Sequence, residues 1–191
     1  TLLREIASST PDDLLKSFIA FQDPNYQPLT NTILYFLYML FSFQPEGYHL
    51  FAITLHFLSV LGLYHIVSKI TNDKLVGFLS AVLFAVLPIN SGLIFWFSNI
   101  SILLSSCFLI YAALAYMLLK KKHALVQYGS VILLLVLSFL SLGFSTASLI
   151  INAWIYVSSA ILSSSLVYLL YFLLRHVIKN VKVASIILLI M

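Results

Sequence analysis

The chain has 191 residues, of which 62% are hydrophobic and 8% are charged, and its formal net charge is +4. Soluble domains are about 45–50% apolar and about 25% charged, so this composition excludes an ordinary soluble globular protein and favours a helical membrane protein. The bases lie in short clusters between apolar runs, a pattern that argues against nucleic-acid binding. The single cysteine, Cys107, excludes an internal disulfide and a cysteine-based metal site, and no metal centre is expected.

The N-terminal region is acidic. Residues 1–47 hold five of the six acids and only two of the ten bases. Thr10 is followed by Pro11 and two acids, which is typical of a helix start. An apolar stripe at helical spacing comes next and predicts an amphipathic surface helix over about 11–21.

The first strongly apolar run predicts a helix over about 31–43. Its 11 to 14 residues reach only about 16–21 Å, which is short of a ~30 Å hydrocarbon core. We therefore expect a second juxtamembrane amphipathic helix on the outer interface, with a short tilted span as the alternative. Together the two helices make residues 1–47 an external loop.

The remaining apolar runs predict a transmembrane helical bundle over residues 48–191. The predicted helices are about 48–68, 74–88, 99–119, 124–142, 145–174 and a truncated one at 183–191. Because the chain starts with Thr and stops inside an apolar run, we expect it to be an internal fragment of a longer protein. The predicted fold class is all-α: a polytopic integral membrane bundle.

The bases predict the topology of this bundle. Eight of the ten lie in three short separators: Lys69 and Lys74, then Lys120, Lys121 and Lys122, then Arg175, Lys179 and Lys182. The positive-inside rule places all three separators on the cytoplasmic side, and two predicted helices between consecutive separators give the even number of crossings that this requires. The N-terminal loop is then outside or lumenal, in a bacterial plasma membrane or the ER membrane.

Few residues are candidates for chemistry. Asp23 is a weak candidate for a general base, and a turn-initiating Asp before Pro is the favoured interpretation. His49 and His56 are seven residues apart and so share a helix face. His56 suits either an interhelical hydrogen bond or the lining of a substrate cavity. The i, i+4 spacing with a nearby acid that is typical of helical metal ligands is missing.

Three segments, in order, resemble a known family: YQPLT at 26–30, GYHLFAITLH at 47–56, and FAVLPIN at 84–90 followed by Trp96. They are similar to the N-terminal half of the GT-C-fold polyprenyl-phosphate-dependent glycosyltransferases, in particular the protein O-mannosyltransferase and transmembrane-TPR mannosyltransferase branch. Where that family tends to carry Arg, His and Glu, this chain has Gln27, Leu87 and Gly92. A divergent transferase and one that has lost catalysis are both compatible with these differences.

The resemblance implies a GT-C-like fold that moves a sugar from a polyprenyl-phosphate donor to a hydroxyl of a protein or glycan acceptor. No cofactor is expected, and the partners are membrane lipids, the donor and the acceptor. The catalytic acid is expected upstream of Thr1. The implied substrate-binding residues are Tyr26, Gln27, Pro28, His49, His56, Asn90 and Asn99. The first three border the donor pocket, the histidines line the cavity, and the asparagines donate hydrogen bonds near the donor phosphate.

Two other classes stay open from the residues alone. One is a multi-pass transporter or lipid flippase, and the other is a non-catalytic membrane scaffold. Transporters usually carry broken helices or buried ionisable groups at the midplane of the membrane. In this sequence the helix breaks are expected near the surface, which favours the transferase.

Overall fold

The computed structural model describes residues 8–19, 26–96, 99–118, 124–142 and 154–173. The helices are α1 Pro11–Ser17, α2 Pro28–Phe41, α3 Pro45–Thr71, α4 Lys74–Val86, α5 Ser91–Phe95, α6 Ile100–Met117, α7 Ala124–Leu142 and α8 Trp154–Leu173. A 3-10 turn at Pro88–Asn90 lies between α4 and α5. No strand occurs in the described ranges, so the expected all-helical fold is confirmed there.

Three helices, α3, α6 and α8, are long and apolar enough to cross a membrane. The 27 residues of α3 reach about 40 Å, more than a hydrocarbon core requires. The pair formed by α4 and Pro88–Phe95 passes the same test only when taken together, and it is bent by 50°. Length and composition therefore support a membrane protein, while the number of crossings and their sidedness stay predictions.

Helix α1 begins as its sequence predicts. The carboxylate of Asp13 accepts hydrogen bonds from the Thr10 backbone N at 2.9 Å and from Thr10 Oγ1 at 2.7 Å. In return, the backbone N of Asp13 donates to Thr10 Oγ1 at 3.3 Å. This reciprocal capping fixes the start of the helix. The helix ends at Ser17, short of the predicted residue 21, and buries none of its residues.

Helix α2 differs from its prediction in where it starts. It starts at Pro28, three residues early, because the fixed φ of proline suits the first helical turn. Its outer face is also apolar: Leu34 and Leu37 are buried, while Met39 and Leu40 are 65% and 74% exposed. Helix α2 therefore carries exposed apolar side chains as well as buried ones, and its role as an external amphipathic helix stays a prediction. With 14 residues, α2 is not among the candidate spans.

Helices α3 and α4 form a close antiparallel hairpin. Asn72 ends α3 in the left-handed conformation with φ 53°, and the Asp73 carboxylate caps α4 by accepting from the backbone N of Leu75 at 2.8 Å. Farther along, the Cα of Gly77 lies so close to Ser68 that a Cβ at this position would overlap Oγ of Ser68. The hairpin therefore depends on glycine at position 77.

Helix α3 lies at the centre of the bundle and runs parallel to α6. Two contacts fix this direction: Tyr111 Oη donates to the carbonyl of Leu58 at 3.2 Å, and Lys69 Nζ donates to the carbonyl of Met117 at 2.7 Å. Helix α7 pairs with α6 along its length, and α2 packs on both α3 and α7. Thr30 of α2 donates to the carbonyl of Ser141 at 2.8 Å. Helix α2 thus covers the end of the bundle where α7 ends.

Candidate functional site

Four polar side chains meet inside the bundle, where α3, the turn after α4 and α8 come together. His56, Asn90, Tyr156 and Ser159 have exposed fractions of only 7%, 0%, 0% and 4%. Burying a polar group costs free energy unless it finds a hydrogen-bond partner. These four side chains satisfy one another and nearby carbonyls, and we call them the His56 network.

The imidazole of His56 joins α3 to both α8 and α4. Its Nδ1 lies 2.7 Å from the hydroxyl oxygen of Tyr156, and its Nε2 lies 3.4 Å from the carbonyl oxygen of Ala85. The tautomer protonated on Nε2 satisfies both contacts, because Nδ1 then accepts from the Tyr156 hydroxyl. The ring of Phe84 packs against both aromatic neighbours, with centroids 5.4 Å from His56 and 5.2 Å from Tyr156.

The break after α4 comes from a proline. Because the residue before a proline is pushed out of the helical region, Leu87 is extended and α4 ends at Val86 instead of the predicted residue 88. Pro88 then starts the 3-10 turn that ends at Asn90. A helix end leaves backbone carbonyls without partners, and these must be satisfied by other groups.

Asn90 satisfies one of these carbonyls and ties the break to α8. Its Nδ2 donates to the carbonyl of Phe84 at 2.9 Å, and its Oδ1 lies 2.9 Å from the hydroxyl of Ser159. That hydroxyl also lies 2.7 Å from the carbonyl of Tyr156 in its own helix. Both ends of the Asn90 amide are therefore occupied within the protein.

Two grooves lie beside the His56 network. One, of about 500 Å³, runs between α3 and α4, and apolar side chains from Ile53 to Val86 line it together with His56 and Tyr64. The other, of about 530 Å³, lies between the Pro88 turn and α8 and includes Ser159. Both have the volume of a small-molecule site and mostly apolar walls. An elongated apolar ligand with a polar group fits this arrangement.

The segment at 26–28 lies at the start of α2. The buried hydroxyl of Tyr26 donates to the carbonyl of Phe18 at 3.1 Å and so holds the residues after α1. Gln27 is half-buried, and its carbonyl accepts from the backbone N of Asn31 at 2.9 Å. Pro28 is buried as the first residue of α2. In the described contacts these residues join α1 to α2, and their role at a donor pocket stays a prediction.

The remaining predicted residues lie apart from the His56 network. His49 is half-buried on α3, about 10 Å along the helix axis from His56. Asn99 is half-buried and donates from Nδ2 to the carbonyl of Gly92 at 3.3 Å. No described hydrogen bond connects either residue to the network. Asp23 lies outside the described residues.

Two members of the network, Tyr156 and Ser159, were not predicted as site residues from the sequence. A signal was present, because a tyrosine and a serine three residues apart share one face of a helix that is otherwise strongly apolar. The partners of His56 and Asn90 lie 100 and 69 residues away along the chain.

The site is uncharged in the part of the chain that the structure describes. No Asp, Glu, Lys or Arg is among its buried residues, and no group of three His, Cys, Asp or Glu side chains could hold a metal ion there. The network can exchange hydrogen bonds with a neutral group. The described interior offers no carboxylate base.

The described part of the chain is all-helical, has three helices long and apolar enough to cross a membrane, and contains a buried hydrogen-bonding network. Comparison with protein-family models, with curated proteins and with solved structures finds no match for this chain. The similarity to the GT-C transferases therefore rests on the three sequence segments alone.

Proposed function

We propose that the chain forms part of a multi-pass, GT-C-like glycosyltransferase that takes a sugar from a polyprenyl-phosphate donor and passes it to an acceptor hydroxyl at the outer or lumenal face. The observation that carries the proposal is that the second and third segments similar to this family pack against each other, because the His56 ring of the second contacts the Phe84 ring of the third. Helix α2, which begins within the first segment, packs on α3, which carries the second segment.

The chemistry of the site also supports a lipid-linked ligand. The apolar grooves suit an isoprenoid chain, and the His56 network between them suits the polar end of such a molecule. Because no cation is buried there among the described residues, a leaving phosphate depends on hydrogen-bond donors such as the Asn90 amide. The Nδ2 group of Asn90 carries two N–H donors, and the carbonyl of Phe84 accepts from one of them, so the second can donate to the phosphate. The general base in this proposal is the acid that the family resemblance implies before Thr1.

One observation favours a second candidate, a lipid flippase or transporter. The span formed by α4 and Pro88–Phe95 is bent by 50°, and Asn90 at the bend is fully buried instead of lying at the surface. Broken helices with polar groups at the break are common at transporter substrate sites. The same lipid-linked ligand would then be moved instead of used as a donor.

Donor binding is the first test. The chain in phosphatidylcholine vesicles is photolabelled with a diazirine-bearing polyprenyl-phosphate hexose. We expect polyprenyl phosphate to displace the label and polyprenol of equal length to leave it in place. His56→Ala should weaken labelling about tenfold, the equivalent of about 1.4 kcal/mol. The matched control is His65→Ala, because His65 is exposed on the same helix, and its described contacts, with the carbonyl of Leu61 and the ring of Tyr64, lie within that helix.

Two results overturn the proposal. One is equal displacement of the photolabel by polyprenyl phosphate and by polyprenol. The other is equal loss of labelling in His56→Ala and His65→Ala, with the folding of both variants checked by circular dichroism. Transfer of radiolabelled sugar to a peptide or glycan acceptor then separates the two candidates. Transfer supports the transferase, whereas movement of a labelled donor between leaflets without transfer supports the flippase and overturns the transferase.

A further inference from the structure

A smaller cavity lies apart from the His56 network, between α6, α7 and α8. Its volume is about 220 Å³, and its walls are formed by Ser105, Ser106, Leu109, Ser138, Leu142, Trp154 and Val157. At ~30 Å³ per water this space equals about seven waters. The cavity is therefore large enough for one six-membered sugar ring and too small for a lipid chain or a disaccharide.

Two of the serines form a fixed pair across α6 and α7. The hydroxyl oxygens of Ser105 and Ser138 lie 2.9 Å apart, and Ser138 Oγ also lies 2.9 Å from the carbonyl oxygen of Ser105. If Ser138 donates to that carbonyl, Ser105 donates to Ser138, and the oxygen of Ser105 keeps its lone pairs for a further donor. The pair thus presents an acceptor of fixed position to the cavity.

The third serine has an unused donor. Ser106 is only 2% exposed and lines the same cavity, and no hydrogen bond joins its hydroxyl to another described group. Its oxygen is not one of the fully enclosed hydroxyl oxygens without a partner, which in the described chain are those of Ser68, Ser80 and Ser101, so a ligand in the cavity can reach it. Ser106 is therefore an independent sign that the cavity takes a hydrogen-bonding ligand.

The rim of the cavity is aromatic, and its walls carry no charge. Trp154 is 70% exposed and offers a flat apolar face, and none of the seven lining residues is ionisable. Hexoses have apolar C–H faces and hydroxyl groups at their edges, which match an aromatic rim and a serine wall. A phosphate or carboxylate would find no cation among these residues.

We infer that the cavity between α6, α7 and α8 binds one neutral hexose ring, with its hydroxyls toward Ser105 and Ser106 and a C–H face toward Trp154. The inference deepens the proposed function by giving the sugar a binding site of its own. Its biological meaning rests on that proposed function. Binding of the free sugar is measurable without a lipid donor.

Trp154 provides the signal for the test. The chain has two tryptophans, so Trp96→Phe leaves Trp154 as the single reporter. The variant in lipid nanodiscs, which expose both faces, is titrated with a methyl hexoside. We expect a saturable change in fluorescence. The corresponding hexose 6-phosphate and a methyl disaccharide should produce none, because the first is charged and the second is too large.

Serine variants in the Trp96→Phe background locate the binding. Ser106→Ala should weaken hexoside binding roughly five- to tenfold, because it removes the free hydroxyl. Ser164→Ala is the matched control, since Ser164 lies on α8, bonds the carbonyl of Ala160 in its own helix and lines neither this cavity nor the two grooves beside the His56 network. Its affinity should stay unchanged. Circular dichroism verifies that both variants fold. If Ser106→Ala does not fold, the comparison of the methyl hexoside with the hexose 6-phosphate and the methyl disaccharide tests the inference instead.

The inference is overturned by a fluorescence change that does not saturate, which means that the cavity holds water only. Equal binding of the charged sugar, or equal effects of the two serine substitutions, overturns it too. Hexoside binding without displacement of the lipid probe by polyprenyl phosphate overturns the proposed function and leaves the cavity assignment standing. Displacement of the lipid probe by polyprenyl phosphate without hexoside binding overturns the cavity assignment and leaves the proposed function standing.

Discussion

The hydroxyl of Tyr156 is the partner that allows His56 to be buried. An imidazole in an apolar bundle is expensive unless its ring nitrogens have partners, and here one nitrogen meets Tyr156 at 2.7 Å. The longer contact with the carbonyl of Ala85, at 3.4 Å, contributes less. The stability of this part of the bundle therefore depends on a single hydroxyl on α8.

Tyr156→Phe should destabilise the protein by about 1–2 kcal/mol, because it leaves a buried nitrogen of His56 without its partner. Unfolding in mixed micelles measures the change. The matched control is Tyr168→Phe on the same helix, where the side chain is 51% exposed. In a double-mutant cycle with His56→Leu, the two substitutions should couple, and purely additive effects would contradict the contact.

In each of the two hydrogen-bonded side-chain pairs of this site, the sequence identified one of the two residues. His56 and Asn90 stand out because polar side chains within apolar runs are costly and therefore informative. Their partners could not be predicted, since the rotation and depth of α8 depend on packing against helices that are distant in the chain. For the same reason, the sequence could not show that Asn90 lies at a buried bend.

Among the helices, the sequence predicted best those features that depend on contacts between residues close together in the chain. Thr10 caps α1 as predicted, because capping involves residues only three apart. The bounds of α3 and α6 follow from long apolar runs. The exposed apolar side chains of α2 do not decide where this helix lies, because an apolar helix face can meet either protein or lipid, and residue pattern alone does not distinguish the two. The interfacial position of α2 stays a prediction.

The hairpin of α3 and α4 makes a prediction about glycine. Gly77→Ala should destabilise the protein by about 1–3 kcal/mol, because its new methyl group would overlap Oγ of Ser68. Gly92→Ala is the control, since nothing lies within 4 Å of a Cβ at that position. Thermal unfolding in detergent compares the two variants. Adding Ser68→Gly to Gly77→Ala should recover part of the loss, and no recovery would argue against this contact.

The cap of α1 predicts a pH dependence. The hydrogen bond from the Thr10 hydroxyl, followed by that from its backbone N, holds the pKa of the Asp13 carboxyl below its ordinary value. The contribution of the ionised cap is therefore complete above the ordinary pKa and is lost as pH falls through the lowered one. NMR titration of labelled aspartate should show a higher pKa for Asp13 in Thr10→Val. An unchanged titration would contradict the capping geometry, and Lys16→Met should give a smaller rise.

For the whole molecule, the distribution of charge gives the topology that the fold alone leaves open. The described helices fit a membrane by length, but a bundle has the same internal contacts whichever way it is inserted. Lys69 and Lys74 lie at the α3–α4 turn, and acids dominate the residues before α3. From this asymmetry the positive-inside rule predicts that the turn lies inside the cell and Gln44 outside.

Cysteine labelling at the two ends of α3 tests that orientation. In a Cys107→Ala background, Gln44→Cys and Lys74→Cys each carry a single thiol, and both positions are exposed. An impermeant maleimide added to intact cells, or to vesicles of known sidedness, should modify position 44 from the outer or lumenal side. It should modify position 74 only from the cytoplasmic side, because the 27 residues of α3 separate them. Modification of both from one side would mean that α3 does not cross the membrane, and reversed labelling would move the proposed sugar transfer to the cytoplasmic face.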